Sequence, residues 1–159
     1  MKVAIVTPTF PPYPGGIGRF AYHHAIGLGS LGHEVEVFSP LYDQKNKNLE
    51  NKLKVSFLKP MFSYGNAAYV PSLSKKIKGF DIIHLHYPFF GGAEVVWRQA
   101  KKLKKRGTKI IIHYHMDVVG RGWIGLIFKL HRMFLLNSII KVADRVIVTS
   151  MDYARSSDI

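Results

Sequence analysis

Apolar residues along the chain follow two alternating periods, and these predict its layout. "KVAIVT" (2–7) is short and nearly all apolar, as a strand buried on both faces must be. From Ile17, the positions Ile17, Phe20, Ala21, Ala25, Leu28 and Leu31 keep helical spacing until Gly32 stops them. "EVEVFS" (34–39) and "LKVSFLK" (53–59) alternate as strands, on either side of the polar loop "DQKNKN". A helix follows over about 72–79, then a strand at "DIIHLH" (81–86). A helix from Gly92 to Arg106 ends at Gly107, and "KIIIHYH" (109–115) is the next strand. A long apolar helix around 123–141 and the strand "DRVIVTS" (144–150) complete the series. Val- and Ile-rich strands between helices make βαβ units. The expected fold is therefore α/β, a doubly wound, mainly parallel sheet with helices on both faces, in one domain over 1–159.

In such sheets ligands sit beyond the carboxyl ends of the strands. Three polar clusters fall there: "PGGIG", "HLHYPFFGG" and "HYHMD". In the first, Pro11, Pro12 and Pro14 stiffen the loop ahead of Gly15 and Gly16, which open a helix. Bare glycine amides at a positive helix end suit a phosphate, although a tight turn needing positive φ would use the same residues. "GGIGRF" is not the dinucleotide pattern, and the second strand ends in Phe38-Ser39-Pro40 without an acid for ribose. No G-K-[ST] opens a helix, so neither NAD nor ATP is expected.

Residues two apart on a strand share a face, which pairs His84 with His86 and His113 with His115. "HYHMD" places Asp117 after them, and two chemistries compete for this pattern. Imidazole and carboxylate suit a metal, but the H-x-H-x-D start lacks the following histidine of a metallo-β-lactamase, having Val118 instead. The other chemistry is hydrogen bonding to sugar hydroxyls. His84 and His113, deeper in their strands, are expected to be buried and satisfied by backbone. His86 and His115, beside the loops, are the better candidates for a ligand.

Composition narrows the partners. Apolar residues at 47% and charged ones at 21% describe a globular chain. The absence of cysteine excludes disulfides and thiolate metal sites, and fits a reducing, cytoplasmic setting. "MKVAIVTPTF" reads as a first strand, not a signal peptide. The net charge of +13 favours anions, with lysines concentrated in "KKIK" (75–78) and "KKLKKR" (101–106). These runs read first as solvated helix ends. Nucleic acid is not expected, because no recognition motif accompanies the charge. The helix over 121–141 is too interrupted by Lys129, His131, Arg132 and Asn137 to span a bilayer. One face carries Ile124, Ile127, Phe128, Phe134, Leu135 and Ile139 as a core stripe, and a second carries Leu126, Met133, Leu136 and Ile140. That second face predicts either burial or peripheral contact with an anionic membrane, at its inner face.

Taken together, the motifs resemble a known family. "MKVAIVTPTFPPYPGGIGRFAYHHAIGLGSLGHEVEVFSP" is similar to the opening of the family 4 retaining glycosyltransferases of GT-B fold. "DIIHLHYPFFGGAE", "KIIIHYHMD" and "ADRVIVTS" resemble their later signatures, in the same order. The resemblance implies a Rossmann-like N-terminal, acceptor-side domain of a two-domain enzyme, with a nucleotide-sugar donor and a sugar or lipid-linked acceptor. It implies that Gly15 and Gly16 approach the donor diphosphate and that His115 is catalytic. Arg19, His86, Tyr87, Pro88 and Asp117 would border the acceptor, and neither metal nor other cofactor would be required. It further implies that the donor-binding C-terminal domain lies beyond this chain, which alone would be inactive. The competing expectation is a free-standing basic α/β module that binds an anionic ligand or partner without catalysis.

Overall fold

The computed structural model describes residues 1–42, 53–118, 120 and 122–157. The "DQKNKN" loop lies outside them. Six strands form one sheet: β1 (Lys2–Val6), β2 (Glu34–Pro40), β3 (Lys54–Leu58), β6 (Ile82–Tyr87), β7 (Lys109–Tyr114) and β8 (Arg145–Val148). Their spatial order is β3-β2-β1-β6-β7-β8, and every neighbouring pair is parallel. The order reverses beside β1, so the crevice between the tips of β1 and β6 is where this topology opens.

Alternation along each strand builds two cores. Val3, Ile5, Val35 and Val37 face α1 (Gly16–Ser30) and pack on its Ala21 and Ala25. Ala4, Val6, Ile83, Leu85, Ile110 and Ile112 face the other way, toward α2 (Leu73–Lys76) and α3 (Gly92–Lys104). Asp144 anchors the edge strand β8 by accepting the Ile110 N–H (2.8 Å). That bond, with Lys104 and Lys109 nearby, holds its carboxyl below the usual range.

Two features differ from the expected layout. A hairpin of β4 (Phe62–Tyr64) and β5 (Ala67–Tyr69) turns at Gly65-Asn66, with Gly65 at φ +54. Its Ala68 donates to Phe90 O (2.9 Å), tucking the hairpin against the loop after β6. This contact explains Gly91, which has φ +91 and whose added Cβ would meet Ala68 O at 2.3 Å. Gly91→Ala is expected to cost about 2–4 kcal/mol, read as a fall in the urea midpoint, since backbone on both sides must move.

The long apolar helix is also three pieces: α4 (Gly122–His131), a π turn (Arg132–Leu136) and α5 (Asn137–Lys141). The wide turn shifts the phase of the apolar stripe. Leu136, expected on the outer face, is buried beside Ile139, whereas Phe134, expected in the core, is 65% exposed. The side chains of Ile124 and Ile127 lie outside the described residues. Among those described, no helix is long and apolar enough to cross a membrane.

Candidate functional site

The tips of β1, β6 and β7 are neighbours, so the loops that follow them share one rim. After β1, the chain passes a cis Pro11–Pro12 bond and enters α1 at Gly15, whose backbone is extended. No side chain caps this helix, and its first bond runs from Arg19 N–H to Gly15 O (3.1 Å). The amides of Gly16, Ile17 and Gly18 lie ahead of that bond, at the positive end of the dipole. The three glycines differ in role. A Cβ on Gly18 would meet Thr9 O and Thr9 Oγ1 at 2.9 Å, so Gly18 lets the helix pack on the loop. A Cβ on Gly15 would press on Thr9 Oγ1 at 3.2 Å. One on Gly16 would meet nothing within 4 Å, and the residue is exposed. No neighbour and no positive φ accounts for Gly16.

Below this helix start lies a cluster of five histidines. His84 and His86 leave β6 on the α1 side, His113 leaves β7 on the same side, and His115 follows at the tip. His86 and His113 are register partners, so their rings stack at 5.4 Å. His24 comes down from α1 and meets His84 edge-on at 4.4 Å. Phe20, one turn into α1, covers the row, with its ring 4.7 Å from His113 and 5.2 Å from His115. It is 44% exposed, not the core residue that its helical spacing suggests. Phe20 thus ties the glycine loop to His115.

Burial dominates the electrostatics here. Desolvation lowers all five histidines: His84 to about 3, His115 to about 4, His86 well below the usual value, and His24 and His113 in the same direction. Mutual repulsion among the rings adds to the shift for His84, His86, His113 and His115. At neutral pH the cluster is therefore a set of uncharged imidazoles. His86 Nδ1 lies 2.9 Å from His115 Nε2, so one of the two carries the shared proton. Among the described residues, His24 Nδ1, His84 Nε2, His86 Nε2 and His113 Nδ1 are buried without a hydrogen-bond partner. His84 and His113 are buried as expected, but their rings are not satisfied by backbone.

The other candidates divide. Arg19 is exposed on the first turn of α1, and Pro88 is half-buried after a cis Tyr87–Pro88 bond. His86 is completely buried, so it presents no surface to an acceptor and meets the rim through His115 and the edge of Phe20 (5.9 Å). Tyr87 points to the α3 side, 3% exposed and stacked on Tyr114 at 5.2 Å, while its carbonyl accepts the His115 N–H (2.9 Å). Asp117 does not join the histidines. Its carboxylate accepts the Tyr114 hydroxyl and its N–H donates to Tyr153, because Tyr114 alternates to the opposite face from His113. The basic runs lie elsewhere, in a cleft lined by Lys78, Gln99, Lys102, Leu103 and Arg106. Since α3 runs back from the tip of β6, its lysine-rich end reaches the opposite edge of the sheet. Sequence reading missed His24 and the covering role of Phe20; their common face on α1, four residues apart, is the only cue.

Comparison with solved structures finds the same fold as part of larger enzymes. Sucrose-phosphate synthase from Thermosynechococcus elongatus superposes with a TM-score of 0.65 at 18% identity, over 98% of this chain and 44% of that one. An alpha-glucosyltransferase in complex with UDP gives 0.59 at 14% identity, over 94% of this chain and 35% of that one. The same kind of enzyme with UDP and a 13-mer DNA containing an A:G mismatch gives 0.57 at 14% identity, over 96% and 38%. At these identities the likeness is one of fold, and this chain spans less than half the length of each. Comparison with curated proteins gives no significant match. The family model for Glycosyltransferase Family 4 matches residues 14–156, nearly the whole chain from the glycine loop to α6 (Met151–Ser156), and the chain therefore belongs to that family.

Proposed function

We propose that this chain is the acceptor-side domain of a retaining glycosyltransferase that moves a sugar, of hexose type, from a nucleotide-sugar to a sugar or lipid-linked acceptor. The observation that carries this reading is the uncapped start of α1, where Gly16 faces open space and Phe20 joins the helix to His115. Three amides that have no acceptor within their own helix stabilise the charge on a diphosphate without a metal. Gly16 lets the phosphate oxygens reach those amides, and Gly15 keeps the approach narrow. The neutral ring of His115 then serves as a hydrogen-bond partner to the transferred sugar, and His86 positions it through the shared proton. Arg19 and Pro88 border the acceptor, while Asp117, which accepts the Tyr114 hydroxyl, and Tyr87, whose carbonyl accepts the His115 N–H, hold the loop that carries His115 in place. A donor-binding second domain supplies the other wall of the cleft, so the isolated chain binds weakly and does not turn over.

Amide chemical shifts test the phosphate site directly. Titrating the 15N-labelled chain with UDP-glucose, GDP-mannose and ADP-glucose is expected to move Gly16, Ile17 and Gly18 and the His115 ring. In Gly16→Val, whose side chain has room in the folded chain, those shifts are expected to fall at least tenfold at equal ligand. Shifts confined to Lys78, Lys102 and Arg106 would transfer the anion site to the other edge and overturn the assignment.

A further inference from the structure

We propose that His24, His84 and His86 form a binding site for one divalent transition-metal ion of zinc type, which pins α1 to the sheet. The three residues come from two elements, and each offers a ring nitrogen within 4.8 Å of the other two. Each also carries a buried ring nitrogen with no partner: His24 Nδ1, His84 Nε2 and His86 Nε2. Leaving three such atoms unpaired on converging rings costs several kcal/mol, a cost that one shared occupant would remove at a single point. Their chemistry selects the occupant. An anion would be held by positive charge or by N–H groups converging on it; burial has removed the charge from these rings, and each neutral ring keeps a lone pair. A neutral imidazole with a lone pair is instead a ligand for zinc, copper, nickel or cobalt.

The hydrogen bond between His86 and His115 completes the argument. If His86 Nδ1 donates to His115 Nε2, the lone pair of His86 is left on Nε2, the atom without a partner. A ligating histidine whose second nitrogen is tied to a neighbour is the usual outer-shell arrangement. Three histidines also fit zinc, with a fourth position left for water. A second trio, His86, His113 and His115, lies within the same distance limit. The first trio is assigned because all its members have orphaned nitrogens, whereas His115 Nε2 is already bonded. His115 is not a ligand in this site, whose occupancy is read without any measure of the proposed transfer reaction.

The test uses tag-free protein stripped with a chelator and titrated with zinc, then with cobalt(II). One equivalent is expected to bind, giving a visible cobalt absorption band. Zinc at about a hundredfold excess over Kd is expected to raise Tm by roughly 5–10 °C. His24→Gln and His84→Gln are expected to abolish both signals, while His115→Gln keeps them. Should His84→Gln fail to fold, His24→Gln, at a half-buried helix position, decides alone. No stoichiometric uptake by the unmodified chain, as when water fills the gap, overturns the proposal. So does binding that survives His24→Gln but is lost in His115→Gln.

Discussion

His115→Ala, in a polypeptide that also carries the donor-binding domain, is expected to slow sugar transfer roughly 10²-fold or more. The loss should fall on kcat more than on the donor KM, because the diphosphate is held by the α1 amides and not by the imidazole. The ring sits at the tip of β7, half-buried, with Phe20 at 5.2 Å and His86 Nδ1 at 2.9 Å. Burial lowers its pKa to about 4, so it is uncharged throughout the physiological range. Between pH 8 and about 5 the rate should therefore show no step attributable to this residue. His115→Gln, which restores a neutral hydrogen-bonding group, should recover part of the rate; His115→Ala should not. Equal turnover of His115→Ala and the unmodified enzyme would remove His115 from the site.

Acid is expected to destabilise the metal-free chain steeply, beginning near pH 6.5. The sign follows from the direction of the shifts. His84 and His86 are held neutral in the folded state, His84 down to about 3, whereas in the unfolded chain they take up protons near the ordinary value of 6.5. Stability is full above the unfolded pKa and is lost as pH falls toward the folded one. Each neutral histidine removes about 1.4 kcal/mol per pH unit in that window. His84 alone amounts to roughly 2 kcal/mol between pH 6.5 and 4.5, and His86, lowered in the same direction, adds to it. His24, His113 and His115 face them and shift in the same direction. Urea unfolding at half-unit pH steps in EDTA measures the slope, and His84→Leu should flatten it by about 1.4 kcal/mol per unit. A flat profile down to pH 4.5 would show that the rings titrate normally.

Legibility in the sequence depended on how local each determinant was. The six parallel strands could be read because Val and Ile runs of strand length, separated by helical spacing, admit few other arrangements. Gly15 and Gly16 were legible for the same reason, since a strand, a stiff loop and a helix start follow one another directly. The hairpin escaped because its strands are three residues each, although "YGNA" at 64–67 holds a turn signal. The π turn escaped because a one-residue change of phase leaves the apolar spacing of each half intact. Asp117 was aligned with His113 and His115 by extending the strand period, but β7 ends at Tyr114 and the period ends with it. Arg19 and Pro88 came from the family resemblance and not from the spacing; Arg19 is exposed on the first turn of α1 and Pro88 is half-buried after β6.

Sequence alone determined the alternation of strands and helices, the side of each strand that a residue occupies, and the identity of the groups at the strand tips. These depend on period and composition, which act over a few residues at a time. Only the tertiary structure decided that β6 lies beside β7 with His86 opposite His113, that α1 lowers His24 and Phe20 onto them, and that the resulting rings lose water. Strand order is set by long-range packing, and desolvation by what covers a residue. Neither quantity is a property of any local stretch of chain.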